Sequence, residues 1–348
     1  MLIYLILMIT ELYSNSIYML LTILLFALAF DLLIGEFPAK IHPVVWIGNI
    51  ISFFKKYLIK YDNKISGLIV SICVIAVSSL IVLVPMLLIK HFMYLNDGMI
   101  YLFKLAALLL LSSTFSVKLL IDSARDVEND LKNNNLNKAR QAVSYLVSRK
   151  TSELNKEHVI SAVIETLTEN IPDSYVSTIF YYSIVGIIAF LLGFNDFTVV
   201  ILALLAALIH RVVDTMDSML GYKTEELYNI GYVPAHLDDI LNYIPARISG
   251  FLIIISAAFL ALNWRGAYYI MQRDARKCDS PNSGYTMATV AGALNIQLEK
   301  EGVYTLGDNL HPLKVECIDK AIDIARLSIF LITIFFFFVF MDLILLQL

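Results

Sequence analysis

Charge is the first scarcity in this sequence. Only 16% of its 348 residues are Asp, Glu, Lys or Arg, where soluble domains carry about 25%. Hydrophobic residues make up 59%, with 20 Phe and 19 Tyr. That balance excludes an ordinary soluble core and predicts an all-α, polytopic membrane protein. A basic excess is missing too. The formal net charge is −4, which excludes nucleic acid as a partner, because no cation surplus is present to displace phosphate counterions. Cys73, Cys278 and Cys317 form no CxxC pair. So odd and scattered a set fits a reducing compartment and offers no zinc site. There is no GxxxxGK[ST], no GxGxxG and no HExxH, which excludes the standard phosphate-loop and zincin readings. The first twenty residues lack a cationic leader region and a small-residue cleavage motif, and predict a retained membrane element.

Long apolar runs are plentiful. A spanning helix needs about 20 mostly apolar residues. Residues 17–34, 66–90, 99–120, 176–193, 197–214, 247–263 and 327–347 qualify as candidates, and residues 1–10 read as a short interfacial helix or an extension of the first span. "GFND" joins two of the runs as a tight helical hairpin. Four polar segments, 35–64, 121–175, 215–246 and 264–326, lie between the spans. They are too structured for connectors and predict a helical cap folded over one membrane face, within one domain covering 1–348. Segment 121–175 reads as helices broken by the turn "KNNNLN", with "EHVISAVIETLTEN" stopped by Pro172. Seven simple crossings would put Arg and Lys clusters on both sides, against the positive-inside rule. The reading that removes the conflict has 247–263 not crossing simply and all four polar segments in the cytoplasm.

Ionisable residues gather where the spans end. In "AALIHRVVDTMDSMLGY" Arg211, Asp214 and Asp217 stand at helical spacing against a membrane-grade run. One charge there would snorkel to the headgroups; three predict a polar cavity. In "AVIETLTENIPDSYV" Glu165 and Glu169 share a helix face four residues apart, followed by Asn170 and Asp173. Like charges at that spacing repel unless a cation or a cationic ligand sits between them. "PAHLDDILNYIPARISG" supplies Asp238, Asp239, Asn242 and Arg247. Hard oxygen ligands in that number suit Mg²⁺ bound together with phosphates. Glu36 and His42 lie at the edge of the first span, and "RDARKCDSPNSGY" offers Asp274, Arg276, Ser280 and Asn282 around a turn with the raw material of an anion nest. Carboxylates, amides and arginines on five segments make a composition suited to phosphoryl-driven condensation.

"DLLIGEFPAKIHPVVWIGNII", "IETLTENIPDSYVSTIFYY", "RVVDTMDSMLGYKTEELYNIGYVPAHLDDILNYIPARISG" and "DARKCDSPNSGYTMATVAGALNIQL" together resemble the CobD/CbiB family of cobalamin biosynthesis. The resemblance runs in order from about residue 28 to about 310. It implies a multi-pass cell-membrane enzyme, of the adenosylcobinamide-phosphate synthase type, with its active site on the cytoplasmic side. The implied reaction joins a propionate of the corrinoid adenosylcobyric acid to aminopropanol or its phosphate, with ATP as co-substrate and Mg²⁺ as cofactor. Glu165, Glu169, Asp214 and Asp217 are then the expected catalytic residues. Asp214, Asp217, Asp238 and Asp239 are the expected metal ligands. Glu36, His42, Arg149, Asn170, Asp173, Arg211, Tyr222, Asn242, Arg247, Asp274, Arg276, Ser280 and Asn282 are the expected binding residues. One position departs: Lys150 stands where the family carries Asp, between Arg149 and Thr151. The bilayer is an expected partner, and a homo-oligomer stays open. Intramembrane carboxylates also suit a transporter, but no repeat halves and no matching broken spans accompany them. A membrane regulator would predict that the acidic set tolerates loss.

Overall fold

Asparagine sets where many of these helices begin. Asn15, Asn63, Asn135, Asn155, Asn195 and Asn263 each stand before a helix and accept the N–H of a residue two or three positions on, occupying a donor that the first turn leaves without a partner. The computed structural model describes residues 15–93, 98–147, 149–222 and 224–347; the expectation for residues 1–10 lies outside them. In chain order the helices are α1 (Ser16–Leu33), α2 (Pro43–Leu58), α3 (Lys64–Phe92), α4 (Met99–Ser112), α5 (Val117–Lys132), α6 (Leu136–Ser144), α7 (Lys156–Ile171), α8 (Ser177–Leu191), α9 (Asp196–Leu220), α10 (Tyr232–Leu241), α11 (Tyr243–Phe259), α12 (Trp264–Asp274), α13 (Ser283–Leu294) and α14 (Glu316–Leu345). Among the described residues the fold is all-α apart from one small hairpin, and it is polytopic. Among the described residues, six stretches are long and apolar enough to cross a bilayer: Ser16–Leu33, Lys64–Phe92, Met99–Lys132, Lys156–Leu191, Asp196–Leu220 and Glu316–Leu345.

Three local features depart from the expected helices. Pro172 does not end its helix. It opens a π-helical turn, Pro172–Val176, and α8 follows at once. Proline removes one ladder hydrogen bond, and here a wider turn absorbs the loss while buried Tyr175 bonds Thr333 at 2.8 Å. The 99–120 run breaks at residues 113–116, where the Ser113 and Thr114 hydroxyls donate to the carbonyls of Leu110 and Leu111, a competition with the helical ladder. The third feature is strand β1 (Gln297–Lys300) paired antiparallel with β2 (Tyr304–Gly307). The 247–263 run makes no simple crossing: α10 and α11 reach spanning length only together, across a 46° bend.

The chain forms two compact units. The first comprises residues 1–116, 177–240 and 334–348. At one end of its helices the Ser16 N–H donates to Asp196 at 2.8 Å, and Lys90 reaches Asn195 and Thr198 at 3.1 and 2.9 Å. At the other end, Asn229 donates to Asp62 at 3.0 Å. There Gly67 of α3 lets the Ile230 carbonyl come so close that a Cβ would sit 2.4 Å from its oxygen. The second unit comprises residues 117–176 and 241–333. Its hairpin is tied at the Gly307 end through Asp274, which is fully buried. Arg273 and Lys277 ion-pair with this carboxylate at 2.8 and 2.6 Å, and the Gly307 N–H donates to it at 2.8 Å. Burial opposes its ionisation, but these donors outweigh burial and hold the carboxyl lowered to about 2.

Gly67→Ala should cost about 1–3 kcal/mol, since overpacked sites force backbone shifts, read as a lower Tm in detergent. The Asp274 linkage has a definite sign. Its folded value lies below the unfolded one, so its stabilisation is present above about pH 4 and is lost as pH falls through about 2. The shift corresponds to about 2 kcal/mol, and Asp274→Asn should remove it at pH 7 and flatten the acid limb of the stability curve between pH 4 and 2.

Candidate functional site

In the first unit the polar patch is built by the break after α4. Because the chain leaves helical geometry at Ser113, the Thr114 carbonyl is available to side chains. Arg211 Nε donates to it at 2.7 Å, and Arg211 Nη1 pairs with Asp214 at 2.7 Å. The guanidinium is thus fixed at both ends near the C-terminal end of α9. Asp217 lies one turn on, and the charges of Asp214 and Asp239 act on it. Gly221 makes room for it: a Cβ there would lie 1.9 Å from the Asp217 carboxylate. Asp238 acts electrostatically on Tyr181. Tyr222 is exposed. His42 caps α2 by accepting the Val44 N–H at Nδ1, and its other ring nitrogen contacts Glu36.

In the second unit the two glutamates of α7 do different things. Glu165 is buried, and its carboxylate is fully engaged: Arg149 donates at 2.9 Å, Tyr304 at 2.8 Å and Ser161 at 2.5 Å. Ser161 also accepts the Glu299 N–H, and Arg149 donates to the Glu299 carbonyl. Glu165 therefore pins the hairpin to α7. Glu169 is half-buried one turn along the same face. The charges of Lys300, Arg149 and Glu165 act on it, yet among the described residues no hydrogen bond or ion pair reaches it. Cys278 lies in the same field. Burial, followed by the charges of Glu169, Glu165 and Asp279, pushes its thiol up to about 12. Burial and Glu165 likewise push Tyr304 well above the usual phenol range, so it remains a hydrogen-bond donor.

The remaining expected residues of this unit take local roles. Ser280 accepts the N–H groups of Asn282 and Ser283, which settles the turn before α13 and uses donors that an anion nest would need. Arg247 lies between the rings of Tyr243 and Tyr285, at 3.4 and 4.2 Å from their centroids, and donates to Asn282 at 3.1 Å. Asn170 donates to the Thr166 carbonyl. Asn242 is buried, Asp173 half-buried and Arg276 exposed. Asp274 is committed to the hairpin clamp. Lys150 pairs with Glu153 in open solvent. Tyr304, Ser161 and Lys300 were not among the expected residues. The signal for the first and last was present in "QLEKEGVYTLG", two short alternating runs around a glycine, a hairpin pattern.

The family model described as "CobD/Cbib protein" matches residues 24–327. Among curated proteins, the "Probable cobalamin biosynthesis protein CobD" of Methanothermobacter thermautotrophicus is 43% identical over 313 residues, covering 90% of this chain and 95% of that one. The protein of the same description from Methanocaldococcus jannaschii is 40% identical over 82% of this chain and 87% of its own. That of Thermoplasma volcanium is 33% identical over 88% and 92%. No solved structure matches. With the family model and full-length relatives in agreement, this chain belongs to the CobD/CbiB family.

Proposed function

We propose that this protein serves cobalamin biosynthesis as an ATP-dependent ligase, joining aminopropanol or its phosphate to a propionate of adenosylcobyric acid on the cytoplasmic side of the membrane. Family membership supports the pathway. The observation that carries the chemistry is the division between the two glutamates of α7. Glu165 is engaged on every side, whereas Glu169 is a recessed carboxylate with no hydrogen-bonding partner among the described residues. A recessed anion of that kind suits an ammonium group, and Lys300, whose charge acts on it, suits a phosphate at the other end of the same acceptor.

In the proposed reaction a propionate oxygen attacks the γ-phosphorus of ATP and ADP leaves. The acceptor nitrogen then attacks the acyl carbon, a C–N bond forms, the C–O bond to phosphate breaks, and the nitrogen gives up a proton. Glu169 first binds the ammonium and takes the proton whose loss frees the nitrogen lone pair, a role for which a positioned carboxylate is suited, and the proton given up once the C–N bond has formed leaves with the phosphate. Tyr304 and Arg149 keep Glu165 in place and so set the line of α7.

Mg²⁺ fits the first unit on one observation. The charges of Asp214 and Asp239 both act on Asp217, and among the described residues Arg211 ion-pairs with Asp214. Among the described residues no three His, Cys, Asp or Glu side chains stand close enough to hold a metal ion by themselves, so the ion would need further oxygens from the nucleotide phosphates. Asp214, Asp217, Asp238 and Asp239 would hold it. Bound there, it neutralises charge on the transferred phosphoryl group.

The direct test incubates the purified protein with Mg²⁺ATP, adenosylcobyric acid and either aminopropanol or its phosphate, and looks for the amide by mass. Failure with both acceptors, together with solute flux in proteoliposomes, would move the assignment to a transporter. Glu169→Gln should lower kcat by roughly 10²–10⁴-fold with Tm unchanged. Glu165→Gln should instead lower Tm, by about 1–3 kcal/mol of stability, because buried donors lose their charged acceptor. Cys278 gives a readout independent of turnover. At pH 8 its alkylation should run about a thousand-fold slower than that of a free thiol, and Glu169→Gln should speed it.

A further inference from the structure

The turn before α13 is closed by its own residues and then bolted to α11. Ser280 accepts the N–H groups of Asn282 and Ser283 at 3.2 and 3.4 Å. Gly284 lets the start of α13 pass the Ala275 carbonyl, where a Cβ would sit 2.1 Å from the oxygen. The bolt is Arg247. Its Nη1 donates to the Asn282 side chain at 3.1 Å and its Nη2 to the Pro281 carbonyl at 3.5 Å. Nη1 also donates to the Tyr243 carbonyl of its own helix at 2.5 Å. The rings of Tyr243 and Tyr285 cover the guanidinium. The fork that grips a carboxylate or phosphate end-on uses both terminal nitrogens, and here those nitrogens already face the turn and the Tyr243 carbonyl.

The bolted segment borders both glutamates of α7. On α13, two residues past Tyr285, Met287 is buried, and its Sδ meets the Tyr304 hydroxyl at 3.6 Å, the same hydroxyl that donates to Glu165. At the other end of the turn stands Cys278, on which the charges of Glu169 and Glu165 act. Four residues separate Cys278 from Asn282, at most about 14 Å of chain. We propose that Arg247 is a positioning residue: it fixes the entry of α13, and through Cys278 and Met287 the wall against which the two glutamates are set. This rests on Glu169 as the acceptor site. A planar guanidinium can hold two oxygens of the turn at a fixed angle, which a lysine ammonium cannot.

The purified full-length protein tests this through Tm, alkylation of Cys278 at pH 8 followed by mass, and amide-forming kinetics, with Cys73 and Cys317 as internal references. Arg247→Lys keeps the charge and loses the plane. It should speed Cys278 alkylation severalfold with Cys73 and Cys317 unchanged. It should also lower kcat/KM for the acceptor about tenfold, with KM for ATP and for the corrinoid unaltered. Asn282→Ala should act in the same direction, and the double variant should be no worse than either single one, because they break one shared contact. Asn282→Asp, which restores an acceptor, should recover most of what Asn282→Ala loses. Unchanged Cys278 alkylation in both single variants, or additive effects in the double one, would overturn the proposal. So would a change confined to KM for ATP or corrinoid, the mark of a guanidinium that touches substrate. Equal speeding of all three cysteines with a lowered Tm would overturn it as well, since that is general loosening. If the wild type forms no amide, the ligase reading fails, and the alkylation arm still decides whether Arg247 sets the wall.

Discussion

Taking a charge out of water is costly unless a partner replaces the water, and this constraint organises both units. Arg211 meets it with the Thr114 carbonyl and Asp214. Asp274 meets it with two cations and a backbone amide. Glu165 meets it with Arg149, Tyr304 and Ser161. Each of these also fixes a piece of irregular backbone: the break after α4, the closing end of the hairpin, the first strand. Where the helical ladder is interrupted, a buried charge takes up a carbonyl or amide that the interruption releases. Fold and polar patch are thus the same set of bonds seen from two sides.

Against that background the less satisfied groups become informative. Glu169 sits beside a carboxylate with three donors and has none among the described residues. Asp217 shares its surroundings with two further aspartates. Stability alone does not favour either arrangement, because like charges in a recess repel. A cationic group brought by a substrate, or a divalent cation brought with a nucleotide, would relieve both.

Much of the architecture is legible in the sequence because hydrocarbon imposes one rule on every spanning segment. The apolar runs starting at Ile17, Ser66, Met99 and Phe197 locate helices to within a few residues, and the asparagines before several of them mark their starts. The break at Ser113 and the turn at Pro172 are harder to read. Hydroxyls that compete for carbonyls, and a proline absorbed by a wider turn, leave hydropathy unchanged. At the site, residue type and spacing single out Glu165 and Glu169 as a pair. Their separation into an anchored group and an unanchored one depends on Tyr304, which stands 139 positions away in the chain and comes close only through tertiary packing. The local turn that uses Ser280 is likewise invisible to composition, since a serine that caps a backbone and one that awaits an anion are spelled alike.

The hairpin is held at its Gly307 end by Asp274 and beside its turn by Glu165 acting on Tyr304, while at the tip Glu301 reaches His158 of α7 at 3.6 Å. Gly302 adopts a left-handed backbone, with nothing within 4 Å of where a side chain would begin. Glu301 and Val303 on either side of it are exposed. Chain length at that point is therefore decoupled from the clamp: a peptide epitope or a fluorescent label spliced in at Gly302 would extend outward and report on the second unit, without displacing the contacts of Asp274 and Glu165.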